Sequence, residues 1–164
     1  MTQRLQYADP DAHEQYQIAY NYQLSTLADR QQRDGVVVTP VEVVDFQIHA
    51  VIDQLAEKGR TLADPLVRVT DPFGGTGIYL ARMMQLADLT SDELDDLYHN
   101  RMAMIEIDQT ACEIADKNLR TVYRQETGRE ARHSIVHHRD TFAMSQEDFD
   151  RLWDTDTTST PLPA

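Results

Sequence analysis

The chain has 164 residues, 41% of them hydrophobic and 26% charged, with a formal net charge of −13. That length suits one domain with a single sizeable core, and the composition is that of an ordinary globular protein. The acidity reads as a solvated acidic surface rather than as a DNA mimic. It opposes binding to a phosphate backbone, where Lys and Arg neutralise charge, so any DNA contact is expected mainly from missing or separate domains. No apolar run approaches the ~20 residues that span a bilayer, and the stretch Met1-Thr2-Gln3-Arg4-Leu5-Gln6 lacks the apolar core of a signal peptide. Cys112 is the only cysteine, which leaves no intrachain disulfide and no cysteine-based metal site. The expected compartment is the cytoplasm, with no membrane partner.

Residues 1–34 read as an N-terminal helical segment, with Tyr16, Ile18, Tyr20, Tyr22, Leu24 and Leu27 forming a narrow apolar face. Asp34-Gly35 turns the chain, and Val36-Val37-Val38 is a brief extended run. Thr39 is a good N-cap, and Pro40 suits the first position of a helix. Val41, Val44, Ile48, Val51, Ile52 and Leu55 then recur at helical spacing, so Pro40–Glu57 is an amphipathic helix stopped by Lys58-Gly59-Arg60. A first strand follows at Val67–Asp71, then a glycine-rich turn and a helix at Thr76–Ala87. Thr90 and Ser91 with acidic residues behind them start a short helix to His99. The second strand is Met102–Ile107. The next helix runs from about Gln109 to Arg124, with Ala111, Ile114, Ala115, Leu119 and Val122 inward, and Thr127-Gly128-Arg129 breaks it. The third strand is Ser134–His138. Residues 154–164 are polar, without periodicity, and read as a disordered tail.

This order is α/β: half of a Rossmann-like, doubly wound sheet with strand order 3-2-1, since such crossovers are right-handed. The first strand is expected to keep an open apolar edge, a site for self-association or for pairing with another chain.

The chemistry concentrates at the ends of the strands. Asp71-Pro72-Phe73-Gly74-Gly75-Thr76-Gly77 joins strand to helix with three of only six glycines. Such a turn lets backbone approach a ligand closely and presents free helix N–H groups. It lacks the Lys-Ser/Thr of a P-loop, and Asp71 at its mouth would repel a pyrophosphate but attract an ammonium group. Glu106 ends the second strand, where a nucleotide-binding unit places the carboxylate that accepts from ribose hydroxyls. Its other reading is that of a helix N-terminal acid. Together they outline a ligand with an amino-acid end and an adenosine end: S-adenosyl-L-methionine. Asp108 reads either as the cap of the next helix or as a neighbour of the adenine, and Asp140 has the same two readings. His133, His137 and His138 lack metal-ligand spacing and read as strand-face residues. Cys112 reads as packed, with no arrangement for nucleophilic catalysis.

These residues carry a resemblance. Gly35-Val36-Val37-Val38-Thr39-Pro40, Val43-Val44-Asp45-Phe46, Asp71 to Gly77, Ile105-Glu106-Ile107-Asp108 and Asp140-Thr141-Phe142 resemble the N6-adenine DNA methyltransferases. The likeness is to the methyltransferase region of type ISP, type IIG-like restriction–modification enzymes, where a Gly-Val-Tyr-Tyr-Thr-Pro motif precedes an Asp-Pro-x-x-Gly-Thr-Gly loop. It covers roughly Tyr20 to Phe142. It implies that Thr39 and Pro40 close over the methionine end of S-adenosylmethionine. It places Asp71, Phe73, Gly74, Gly75, Thr76 and Gly77 around methionine and ribose, and Glu106 with Ile107 at the ribose. Asp140 and Phe142 would then border the adenine.

The family's catalytic motif is Asn/Asp/Ser-Pro-Pro-aromatic, which holds the exocyclic amine of a flipped-out adenine in line with the methyl group. The six prolines here include no adjacent pair, so no catalytic residue is assigned. The expected domain is a partial S-adenosylmethionine-binding methyltransferase domain at 35–153. Its expected role is a truncated or split adenine methyltransferase, active only if a second polypeptide supplies the motif. The competing expectation is a non-catalytic S-adenosylmethionine-binding or interaction module derived from the same fold.

Overall fold

In the computed structural model, residues 39–153 are described, and the chain divides into two compact units, 1–39 and 40–164. The expected N-terminal helical segment, the run at 36–38 and the tail at 154–164 lie outside the described residues.

Helix α1 spans Val41–Glu57. Its apolar stripe buries Val44 and Ile48 completely or nearly so. The N-cap is Pro40, not Thr39: its backbone is extended at ψ 142°, and no side chain caps the helix. The Pro40 carbonyl instead accepts from the Val43 and Val44 N–H groups at 3.0 and 3.1 Å. An extended ψ at Pro40 starts the helix one residue later than expected, and a pyrrolidine ring has no acceptor to offer.

Strand β1 is Val69–Asp71, β2 is Met102–Glu106 and β3 is Val136–His138. They form one parallel sheet in the order β1-β2-β3, the expected order read from the other edge. Asp71 lies beside Met104, and Glu106 beside His138. Both outer strands start two residues later than the sequence suggests. Before β1, the buried Arg101 guanidinium holds the carbonyls of Leu62, Asp64 and Val67 at 2.8, 2.9 and 2.9 Å. Val67 is thereby committed to a turn rather than a ladder.

Helix α2 is Ile78–Leu86, α3 is Ser91–Asp96 and α4 is Gln109–Thr127. Thr90 and Glu93 close a reciprocal capping box at the start of α3. Its last expected turn is instead a wide turn over Leu97–Arg101. Helix α4 runs three residues past its expected end, until Gly128 in the left-handed conformation stops it.

Helix α1 packs on α2, and α2 on α4. Asp45 and Arg82 join α1 to α2 through two 2.8 Å bonds. Along β2, Met102 and Met104 alternate with Ala103 and Ile105, all buried. Ala103 and Ile105 form the second face with Leu152, covered by Met144, Phe149 and Trp153. Phe149 belongs to a short helix, α5, at Gln146–Asp150. No described helix is long and apolar enough to cross a membrane.

Candidate functional site

Parallel strands place their C-terminal ends side by side, so the turns after β1, β2 and β3 converge at one end of the sheet. Those turns carry most of the sequence-derived candidates. Asp71 closes β1. Its Oδ1 accepts from the Phe73 N–H at 3.2 Å, whereas its buried Oδ2 has no hydrogen-bond partner. Burial raises the Asp71 pKa above the usual aspartate value; the Phe73 N–H partly offsets this, and the nearby Glu106 carboxylate adds to it.

Glu106 closes β2 and holds the glycine turn. Its Oε2 accepts from the Gly75 N–H at 2.9 Å, and its Oε1 accepts from Ile107 and Asp108 at 2.9 and 2.8 Å. Two lone-pair directions per oxygen leave one acceptor position, on Oε2. Asp108 caps α4 by accepting from the Ala111 N–H at 2.8 Å.

The turn is built on close approach. The Gly74 N–H donates to the Ile105 carbonyl at 3.0 Å, and a Cβ on Gly74 would lie 2.3 Å from Met104 Cγ. Gly77 has φ +84°, a left-handed conformation that starts α2. Its N–H donates to the Gly74 carbonyl at 2.8 Å. Gly77 as the cap explains why α2 begins at Ile78 rather than at Thr76. Thr76 itself is held through its carbonyl, which accepts from Asn118 Nδ2 at 3.1 Å.

Each turn also exposes one large apolar side chain: Phe73 at 61%, Ile107 at 64% and Phe142 at 88% of full accessibility. The Phe73 and Phe142 rings lie 5.4 Å apart, tilted by 39°. Thr141 Oγ1 donates to the Pro72 carbonyl, which fastens the turn after β3 to the turn after β1. Asp140 caps the one-turn helix Thr141–Ala143 by accepting from the Phe142 N–H at 2.9 Å. The cap readings of Asp108 and Asp140 are therefore realised.

Pro40 stands at the N-cap of α1, and Thr39 precedes that unit. The histidines are held apart by separate tasks. His133 Nε2 lies 3.2 Å from the His99 carbonyl, and His138 Nε2 lies 2.8 Å from the Ile107 carbonyl. His133 precedes β3 rather than lying on its face. Among the described residues no group of three or more His, Cys, Asp or Glu is placed to hold a metal. The buried Cys112 thiol donates to the Glu106 carbonyl at 3.4 Å, and burial raises its pKa to about 12.

The arginines are occupied too. Every arginine among the described residues except Arg68 pairs with a carboxylate. Arg68 lies over the Trp153 ring, 4.6 Å from its centre.

Sequence reasoning passed over two residues, Thr141 and Asn118. Thr141 sat inside a quoted motif without a role. Asn118 had a signal: it is a polar residue on the inward stripe of α4, three residues after Ala115 and four before Val122.

No protein-family model matches the chain, and no curated protein does. Solved structures match. A DrdV–DNA complex seen by cryo-EM superposes with a TM-score of 0.71 at 25% identity, over 93% of this chain and 16% of that one. A nuclease-deletion mutant of the Type ISP restriction–modification enzyme LlaGI, in complex with a DNA substrate mimic, gives 0.60 at 25% identity, over 82% and 12%. The ATP-dependent Type ISP restriction–modification enzyme LlaBIII bound to DNA gives 0.61 at 24% identity, over 75% and 10%. The chain thus spans at most 16% of the length of these proteins. It is an α/β unit similar in structure to segments of Type ISP restriction–modification enzymes.

Proposed function

We propose that this chain is the S-adenosylmethionine-binding part of an adenine-specific DNA methyltransferase of the restriction–modification type. The observation that carries the reading is Asp71 Oδ2, a buried carboxylate oxygen without a partner at the mouth of a glycine-rich turn. A buried acceptor left unpaired is costly, and a ligand ammonium group would satisfy it. Two carboxylates at neighbouring strand ends, Asp71 and Glu106, disfavour a pyrophosphate at the same place. The structural likeness to segments of Type ISP restriction–modification enzymes supports the same reading.

The residues fit the two ends of the molecule. Asp71 would meet the amino group of the methionine moiety, and the remaining acceptor position on Glu106 Oε2 would take a ribose hydroxyl. Phe73, Ile107 and Phe142 would give the adenine an apolar rim that excludes water. Asp140 has one oxygen in its cap and the other for the purine amine. When bound, S-adenosylmethionine supplies a methyl group on a positively charged sulfur. This chain's share is to hold and orient it.

Taking the methyl group requires a clamp on the target adenine. The 164 residues contain no Pro-Pro pair and so no Asn/Asp/Ser-Pro-Pro-aromatic run. Methyl transfer is therefore proposed to depend on a segment outside these 164 residues that brings this run, and DNA contact to depend on parts outside them as well. The test is co-expression of the chain with a segment carrying the Asn-Pro-Pro-aromatic strand, followed by incorporation of tritiated methyl groups into duplex DNA. N6-methyladenine should form only with both parts. Methylation by these 164 residues alone would contradict that dependence. No methylation with such segments from related enzymes or from adjacent reading frames would overturn the proposal.

A further inference from the structure

The glycine-rich turn has little to hold its shape from within. Gly75 and Gly77 both sit at positive φ, 55° and 84°, and glycine imposes almost no steric barrier against rotation of the adjoining peptide units. One of those units, between Thr76 and Gly77, is nevertheless fixed at both ends. Its N–H donates to the Gly74 carbonyl at 2.8 Å, and its carbonyl accepts from Asn118 Nδ2 at 3.1 Å. The first bond is internal to the turn and moves with it. The second reaches 42 residues along the chain to a side chain 7% exposed in the middle of α4. The next residue, Leu119, is fully buried and stands against Gly77, where a Cβ would come within 3.2 Å of Leu119 Cγ.

Helix α4 is itself rigidly seated. It begins at the Asp108 cap next to Glu106, and it buries Ala111, Ala115, Leu119 and Val122. Glu106 pins Gly75 on one side of the turn, while Asn118 pins Thr76 on the other.

We infer that Asn118 is a positioning residue: by holding the Thr76 carbonyl from α4, it sets the orientation of the glycine-rich turn before ligand binds. This rests on the cofactor reading for its consequence in affinity, but not for its effect on the turn. Pre-organising a flexible turn improves affinity by removing the ordering cost of binding. A carbonyl held by a buried amide N–H donor keeps that order, whereas an alkyl group in its place does not.

The experiment uses the full chain and the variants Asn118→Ala and Asn118→Asp. In the absence of ligand, amide hydrogen exchange at Gly77 should be about tenfold faster in Asn118→Ala, with exchange in β2 unchanged. Unchanged exchange at Gly77 would overturn the inference, whether or not S-adenosylmethionine binds. For affinity, calorimetry with S-adenosylmethionine should give a dissociation constant about tenfold weaker in both variants near neutral pH. Acidification should then bring Asn118→Asp back toward wild type measured at the same pH, because a protonated carboxyl donates to the Thr76 carbonyl and a carboxylate cannot. Asn118→Ala should show no such recovery. A ratio to wild type that stays flat with pH in Asn118→Asp, or equal recovery in Asn118→Ala, would reject the positioning role in favour of mere packing. Wild-type chain that binds no S-adenosylmethionine would overturn the cofactor reading and leave the exchange comparison to decide the inference.

Discussion

Asp71 stands where the proposed function and stability pull in opposite directions. Its folded pKa is raised, mainly by burial, so its ionised form costs stability once pH rises through the folded value. Below the unfolded value that cost is absent. Replacing it with Asn removes the charge and keeps the shape. Asp71→Asn should leave thermal stability unchanged or raise it by up to about 1 kcal/mol at neutral pH, while S-adenosylmethionine binding is lost. Denaturation curves and calorimetry on the same preparation check both halves, and a clear loss of stability would contradict the account. Gly74 makes the converse case. A Cβ there meets the Cγ, Sδ and Cε atoms of Met104 within 2.6 Å, so Gly74→Ala should cost about 1–3 kcal/mol in urea denaturation. Both residues stood out in the sequence, one as a charge and one as a gap in side-chain volume. The sequence could not show that Glu106 spends three acceptor positions on backbone N–H groups, since those depend on how two turns meet.

The elements were legible wherever a period or a cap stood in the chain. Val44 and Ile48 at helical spacing marked α1, and Thr127-Gly128-Arg129 marked the break after α4, where Gly128 takes the left-handed conformation. Boundaries shifted where a distant residue intervened, as Arg101 does ahead of β1. The Asp45–Arg82 pair between α1 and α2 is nearly buried on both sides, with side-chain exposures of 13% and 10%. Removing one partner strands the other charge, so Asp45→Ala should destabilise by about 3 kcal/mol in urea. A loss under about 1 kcal/mol would show that Arg82 finds water instead. The turn after α3 adds a pH response. The buried His99 ring lies 3.0 Å from the Asp95 carbonyl through Nδ1, and its Nε2 accepts from the Arg132 N–H at 3.0 Å. That pairing needs a neutral ring. Burial lowers its pKa below the ordinary 6.5, with Arg132 and His133 adding to the shift and the Asp95 carbonyl and carboxylate opposing it. The stability it contributes is present above about pH 6.5 and is lost as pH falls through the lowered folded value. Melting temperatures from pH 7 to 5 should therefore fall less steeply in His99→Gln than in wild type.

As a molecule, the chain combines a net charge of −13 with arginines that, among the described residues and Arg68 apart, are already paired with carboxylates. A mobility-shift experiment with duplex DNA should show no complex of the isolated chain at physiological salt. The sheet gives β1 a single strand neighbour among the described residues, and such an edge is a place for another strand to pair. Self-repulsion opposes two copies meeting there, so light scattering should show association growing as added salt screens the charge. The parallel α/β order was legible because β–α–β units repeat with right-handed crossovers. The meeting of the Phe73 and Phe142 rings was not, because two separate turns create it. Whether those exposed rings and the two carboxylates, Asp71 and Glu106, hold one ligand is the central question. Calorimetry of the full chain with S-adenosylmethionine, repeated with Asp71→Ala and Glu106→Ala, tests this most directly. The prediction is micromolar binding by wild type that each substitution weakens at least about tenfold. A folded wild-type chain that binds no S-adenosylmethionine, or variants that bind as well as wild type, would contradict it.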